Sequence, residues 1–412
     1  MGAHSYRAAD FVSAARRLGL ELVIGGDRDD VFGAVATGHA LPLDLSQVEI
    51  GTEAIRALHA AHPIDAVLAS DDQGTLLAAH AAQALGLASS PAESVASANH
   101  KRVFRDICQA AGLPQPSFRE ISLQDDPRAL ARGLRYPCVI KPLHLSASRG
   151  VIRCDDAAQF VAAFRRVAAL LARPDVRCRD AALAGRALVE DFVPGAEVAL
   201  EGLVFDGRFE LLAFFDKPDP LDGPFFQETL FITPSRHPQA LQQRAQEVVR
   251  RAVAALGLRH GPVHAEARLH GEAVTVIELA PRSIGGHCGR TLRFGSGMTL
   301  EELILVQALG GAGLDLRRER LAAGVMMIPI ARAGVLRAVS GTEAARAVRG
   351  IEDLEIAIPL GERIEPPPEG DRYLGFIFAR GATPEGVERA LREAHARLRI
   401  EIAPDAELMS EG

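Results

Sequence analysis

Three lysines, Lys101, Lys141 and Lys217, serve a chain of 412 residues in which lysine and arginine together number 46. Where arginine does nearly all the work of positive charge, a lysine that remains marks either chance survival or a place that needs a compact, flexible ammonium. Lys141 ends the apolar run YPCVIKP and is followed by HLSASRG, a stretch of small and hydroxylic residues. Such a loop can lay backbone N–H groups and hydroxyls against phosphate oxygens, and the lysine adds a point charge. A plain turn after a strand is the other reading. The stretch lacks the GxxxxGK[ST] pattern, so a P-loop is not indicated.

A second constellation lies in VHAEARLHGEAVTVIELAPR. Glu266 and Glu278 fall on two adjacent predicted strands, and a hairpin around LHGEA brings both to one face. Two carboxylates on a sheet face are costly unless something neutralises them. A magnesium ion that also meets phosphate oxygens is a natural partner; two solvent-facing glutamates are the plainer alternative. Arg282, four residues beyond Glu278, leads into the Gly-rich SIGGHCG. A fixed guanidinium there suits a carboxylate, a phosphate or a developing oxyanion. His287 and Cys288 are adjacent, but no Ser–His or Cys–His pair is placed for covalent catalysis.

These groups need elements to position them. From residue 7 the chain reads helix (7–19), strand (20–26), helix (51–63), strand (64–70) and helix (72–86), an alternation that implies a parallel sheet. It opens on a helix where such units open on a strand, so either the first strand is absent or the start is too late. From 96 the character changes. SANHKRVFRDICQAAGLPQP reads as one helix, and residues 186–217 as antiparallel strands with Pro-Gly and Asp-Gly turns. A helix follows through 237–257, then the two-strand hairpin with Glu266 and Glu278, and a helix near 299–309. The tail repeats β–α–β elements, with EPPPEG (365–370) as a rigid surface linker. The boundaries expected are 1–95, 96–310 (split at 185/186) and 311–412.

Composition excludes several classes. The net charge of −7 argues against a nucleic-acid coat or a polybasic membrane anchor. No apolar run reaches the roughly 18–20 residues of a membrane span, and MGAHSYRAADFVSAARR has no signal-peptide core. Five scattered cysteines form no CxxC, which fits reduced thiols in the cytoplasm rather than a zinc site. No strand is followed by GxGxxG, so a dinucleotide-binding dehydrogenase is disfavoured.

The order HKRVFRDICQAAGLPQP, YPCVIKPLHLSASRG, LVEDFVPGAEVALEG, HAEARL and IELAPRSIGG, over roughly 96–310, resembles the ATP-grasp superfamily, in particular its carboxylate–amine ligases, including L-amino-acid (dipeptide) ligases. The resemblance implies an α/β and α+β ATP-grasp fold with an N-terminal parallel-sheet β/α domain and a C-terminal β/α lid-like domain. It implies ATP with Mg²⁺ or Mn²⁺, an acyl-phosphate intermediate, small carboxylate and amine substrates, and a homodimer as a family expectation. Lys101 and Lys141 would hold phosphates under a mobile loop with Ser146, Ser148 and Gly150. Glu190, facing the adenine amino group, with Asp191, Phe192 and Val193 would form the adenine hinge. Glu197 would bind ribose, Glu266 and Glu278 the metal. Arg282 would steady the intermediate, with Lys217, Glu228, Gly285, Gly286 and His287 near substrate. One departure is Glu278-Leu-Ala280-Pro-Arg282, where many relatives carry E-x-N-x-R; a metal ligand is replaced by alanine. A bicarbonate-activating enzyme or a non-catalytic nucleotide-binding module are the alternatives.

Overall fold

A computed structural model describes residues 7–26, 40–177, 183–311 and 313–404. The start of the chain and Cys178 lie outside the described residues; the other four cysteines are buried and free. No described helix is long and apolar enough to cross a membrane.

In the first unit the expected helices form as Ala8–Leu18, Val48–Ala61 and Asp72–Leu85. Strands Ile24–Gly26 and Ala40–Pro42 pair in parallel. The strand expected over 64–70 does not form. The Ile64 amide is taken by His59 Nδ1 at 3.0 Å, and Ile64 and Val67 pack as apolar filling around Leu77 and Ala81. That apolar run reports burial, not a ladder.

The single helix expected after residue 96 is two helices, Ala92–Asn99 and Lys101–Ala110. His100 breaks them at φ −100°, ψ 102°, and its side chain accepts the Val103 amide. The break places Lys101 at the first position of the second helix. Beyond it stands an antiparallel four-stranded sheet in the order Phe118–Ser122, Arg186–Asp191, Cys138–Pro142, Ile152–Cys154. Helix Ala157–Leu171 buries Phe160, Phe164, Val167 and Leu171 against it, and Asp156 caps that helix through the Gln159 amide.

The main body is one eight-stranded antiparallel sheet. Its order is Ala273–Ala280, His260–His270, Ala196–Phe205, Arg208–Asp216, Leu230–Thr233, Ala322–Ile328, Gly375–Gly381, Ile351–Ile356. Helix Gln239–Leu256 covers one face through Val249, Ala252 and Val253. Helix Leu300–Ala308 belongs to a second core with Phe215, Phe231 and Phe376, its start fixed by a Thr299–Glu302 capping box. Three strands after residue 311 extend this sheet, so it runs across the boundary expected at 310/311. A strand the sequence reading missed, Gly334–Ser340, joins a separate three-stranded sheet with Arg363–Ile364 and Arg399–Ala403.

EPPPEG is not a surface linker. Pro368 is buried, and its carbonyl accepts the Gly150 amide at 2.8 Å. The segment turns at 367–369, where the Gly370 amide donates to Pro366 O at 3.0 Å, and it docks on the loop after Lys141.

The Pro194-Gly195 turn feeds the strand that carries Glu197. Gly195 sits at φ 108°, and a Cβ there would lie 2.1 Å from the Leu269 carbonyl oxygen. Gly195→Ala is therefore expected to destabilise the fold by about 2–4 kcal/mol in urea unfolding, with an unchanged denaturant slope.

Candidate active site

Lys141 ends a fully buried strand, and its ammonium meets Glu190 Oε2 at 2.6 Å. Glu190 lies on the neighbouring strand, two residues before Phe192. Its other oxygen accepts from Arg105 Nε at 2.6 Å, and Arg105 Nη2 reaches Oε2 at 3.3 Å. Arg105 also donates to the Val276 and Ile277 carbonyls at 3.1 and 2.7 Å. Burial alone would raise the Glu190 carboxyl, but Arg105 and Lys141 outweigh it and hold its pKa at about 2. For Lys141, burial dominates the other way: its pKa is lowered, with Glu190 opposing. Two buried cations on one carboxylate leave an excess of positive charge, which suits an anionic ligand. Lys101 lies alongside, donating to Leu145 O at 2.7 Å and pairing with Glu278 at 3.1 Å.

The loop after Lys141 is a pair of tight turns. Arg149 N donates to Ser146 O and Val151 N to Ser148 O, at 3.2 and 3.1 Å. Ala147 and Ser148 both adopt left-handed φ, 54° and 55°, which directs their peptide groups away from a helical path. Ser146 is exposed and Ser148 half-buried.

The expected adenine hinge differs from the sequence reading in one respect. The Glu190 carboxylate is engaged by Arg105 and Lys141 and does not point as a free acceptor toward a base. The Asp191 and Phe192 amides are bonded to Ser117 O and Pro137 O at 2.9 and 3.0 Å. The Arg153 guanidinium stacks over the Phe192 ring at 4.2 Å, and Val193 follows at the strand end.

A second cluster has the opposite excess. Lys217 Nζ contacts Glu197, Glu228 and Glu266 at 2.8, 2.5 and 2.7 Å. Among the described residues these three carboxylates form a set whose oxygens lie close enough to share an ion, all within 4.8 Å. Burial works against the Lys217 charge, but the three carboxylates push its pKa well above the ordinary value. Arg268 adds a bond to the second Glu197 oxygen at 3.0 Å, so both oxygens of the expected ribose ligand are engaged. His264 stands 3.5 Å from Glu266 and 3.6 Å from the buried Glu201. Tyr373, from the C-terminal segment, donates to Glu228 Oε2 at 3.1 Å.

The two clusters meet on the hairpin. Glu266 and Glu278 are direct cross-strand partners, so both carboxylates share a face, one beside Lys217 and the other beside Lys101. Ala280 offers no donor.

Arg282 is held by the first unit. Its Nε and Nη2 form a two-pronged pair with Asp72, at the start of helix Asp72–Leu85, at 2.7 and 3.0 Å. Burial would raise the Asp72 carboxyl, but Arg282 lowers it. The Gly285–Cys288 turn is closed by Cys288 N to Gly285 O at 3.1 Å, with Gly286 and His287 in left-handed conformations. His287 Nδ1 lies 2.9 Å from Asp10, and its ring meets the Phe376 ring edge-on at 4.7 Å. The thiol of Cys288 is pushed well up by burial, which is inconsistent with a nucleophile.

Sequence reasoning missed Arg105, Asp72, Arg268, His264 and Tyr373. Arg105 stands four residues after Lys101, on the same helix face, and His264 and Arg268 each stand two from Glu266, on the same strand face. Those spacings could have found them. Nothing local marks Asp72 or Tyr373, whose partners are distant in sequence.

Comparisons with known proteins address the chain in three parts. An ATP-grasp N-terminal domain model matches residues 12–89, an ATP-grasp domain model matches 134–291, and an L-amino acid ligase C-terminal domain 2 model matches 326–403. An uncharacterized protein of Sinorhizobium fredii is 26% identical over 77% of this chain and 64% of its own length. The alanine–anticapsin ligase of Bacillus subtilis is 24% identical over 61% of this chain and 55% of its own. The chain thus spans less than two thirds of either curated relative. The crystal structure of an L-amino acid ligase from Bacillus licheniformis superposes with a TM-score of 0.80, at 26% identity over 98% of both chains. A carboxyaminoimidazole ribonucleotide synthase from Aspergillus clavatus shares the fold at a TM-score of 0.72 and 17% identity.

Removing one member of the buried Glu190 triad leaves two uncompensated cations. Glu190→Gln is expected to lose about 3–5 kcal/mol in urea unfolding at neutral pH. The Glu190 carboxyl is depressed in the fold, so its contribution is complete above its ordinary value near 4.5 and drains as pH falls toward about 2. Unfolding measured between those pH values should show that loss in the native protein, and a shallower dependence in the glutamine variant.

Proposed function

The chain belongs to the ATP-grasp superfamily, and on that premise we propose that it is an ATP-dependent carboxylate–amine ligase, joining small substrates such as amino acids and releasing ADP and phosphate. The observation that carries this reading is the direct pairing of Glu266 with Glu278 across one hairpin, set between the cations around Glu190 and the carboxylates around Lys217. The match of 326–403 to an L-amino acid ligase domain supports the choice of substrate class.

The residues fit a divalent metal. Glu266 and Glu278 offer hard oxygen donors on one face, the chemistry that Mg²⁺ or Mn²⁺ takes, and Glu197 and Glu228 stand close to Glu266. A bound ion would neutralise phosphate charge where the two clusters meet. Lys101 and Lys141 hold phosphate oxygens, and the loop with Ser146, Ser148 and Gly150 covers them. The base rests along 191–193, while Glu190 keeps Lys141 oriented. Glu197, itself steadied by Lys217 and Arg268, faces the ribose.

In the proposed sequence a substrate carboxylate attacks the γ-phosphorus, the bond to ADP breaks, and an acyl phosphate forms. An amine then attacks the acyl carbon, phosphate departs, and the proton of the amine leaves. Arg282, fixed by Asp72, stabilises the oxyanion between these steps. Glu228 and the 285–287 turn lie toward the substrates. Closure over the site excludes water, to which an acyl phosphate is vulnerable. ATP, magnesium and reduced thiols accord with a cytoplasmic setting.

The test is phosphate release from ATP with magnesium, without and with pooled L-amino acids, nucleotide products resolved. ADP and phosphate should appear only with amino acids. Glu278→Gln should lower turnover about 100-fold or more, and Arg282→Met about 100- to 1,000-fold. Formation of AMP and pyrophosphate would rule out the acyl-phosphate route, and stimulation by bicarbonate alone would replace the carboxylate–amine assignment.

A further inference from the structure

The proline-rich segment 365–373 has no part in the chemistry above, yet it touches both ends of the site. Its carbonyls face the loop after Lys141: Pro368 O accepts the Gly150 amide at 2.8 Å, and Glu369 O accepts from Arg149 Nε at 2.7 Å. Pro366 O is taken within the segment by the Gly370 amide at 3.0 Å, while the carbonyls of Pro368 and Glu369 face outward to the loop. Three carboxylates of the segment then meet three arginines around the four-stranded sheet. Asp371 lies 3.3 Å from Arg149, Glu365 2.9 Å from Arg173, and Glu369 grips Arg166 with both oxygens, one at 2.7 Å. At the far end Tyr373 bonds Glu228, whose other oxygen holds Lys217. Between Ala147, the 226–228 stretch and the segment there remains a cavity of about 10 Å³, too small for more than a water.

Arg149 and Gly150 belong to the loop expected to cover phosphates, but the Arg149 Nε and the Gly150 amide both donate to the C-terminal segment. One short piece of chain therefore grips that loop at one end and the Glu228 carboxylate at the other.

We propose that the segment 365–373 is a latch that positions the loop after Lys141 and couples it to Glu228, with Arg149 and Tyr373 as positioning residues. This rests on the ligase reading only in taking the loop as the nucleotide cover and Glu228 as a substrate contact. Ordering the loop by nucleotide then also orders the Glu228 carboxylate, a coupling that any ligand of one end must share with the other.

Hydrogen exchange of the full-length protein tests this at two peptides, 144–151 and 226–230, with and without saturating MgADP. The triple variant Glu365→Gln/Glu369→Gln/Asp371→Asn should exchange at 144–151 about tenfold faster than the native protein without nucleotide. Native exchange there should quicken in about 0.5 M KCl while the variant's stays flat, because only the native contacts are ion pairs open to screening. Asp371→Glu, which keeps the charge, should stay close to native, and Asp371→Asn alone should not. MgADP should slow exchange at both peptides in the native protein. Tyr373→Phe should keep the effect at 144–151 and lose it at 226–230. A triple variant that exchanges like the native protein at every salt concentration overturns the latch. So does a Tyr373→Phe protein in which MgADP still slows 226–230. Failure of the native protein to bind MgADP would sink the nucleotide reading instead, and the nucleotide-free comparison would still decide the latch.

Discussion

The carboxylate of Glu190, shared between Arg105 and Lys141, is the contact on which the geometry of the site turns. Three charges removed from water are stable only together, because each alone would carry a desolvation penalty of several kcal/mol. The three come from a helix, a strand and the strand beside it. Arg105 carries the constraint further, since its remaining donors bind the carbonyls of Val276 and Ile277, immediately before Glu278. One guanidinium thus sets the distance between Lys141 and the hairpin that carries Glu266 and Glu278.

The cluster around Lys217 obeys the same rule with the signs exchanged. Three carboxylates surround one ammonium, with Arg268 and His264 at the margin. Glu266 and Glu278 form the seam between an electropositive and an electronegative pocket. A polyphosphate with its cation has that polarity, negative along the chain and positive at the ion. That match of polarity is what the proposed function draws on. The first unit contributes Asp72, Arg7 and Asp10, which hold the 282–290 segment from the other side.

Much of this was legible in the sequence because it follows local rules. Alternation along HAEARL and TVIEL put Glu266 and Glu278 on one face, and the scarcity of lysine drew attention to all three ammonium groups, each of which lies in one of the two clusters. Helix bounds were readable where Gly closes an amphipathic run, as at Gly86 and Gly257. The misreadings have physical causes. Residues 64–70 are apolar because they pack, and periodicity cannot tell packing from pairing. His100 breaks a run of good helix formers by accepting an amide with its own ring. EPPPEG has the composition of an exposed spacer, and its burial depends on arginines about 200 residues away. The bond of Glu190 to Arg105 joins a strand to a helix 85 residues earlier, a contact that a strand-by-strand reading does not show.

The eight-stranded sheet has a further consequence for how the molecule is made. Leu230–Thr233, buried at every position, pairs on one side with Ala322–Ile328, which leaves the ribosome about ninety residues later. At about 5–20 residues per second, the nascent chain carries an open sheet edge, apolar at Leu230, Phe231 and Ile232, for several seconds. Such an edge is a template for pairing with other chains. The last quarter of the sequence is therefore a built-in protector of the part before it, and a chain released early would be prone to aggregate rather than simply inactive.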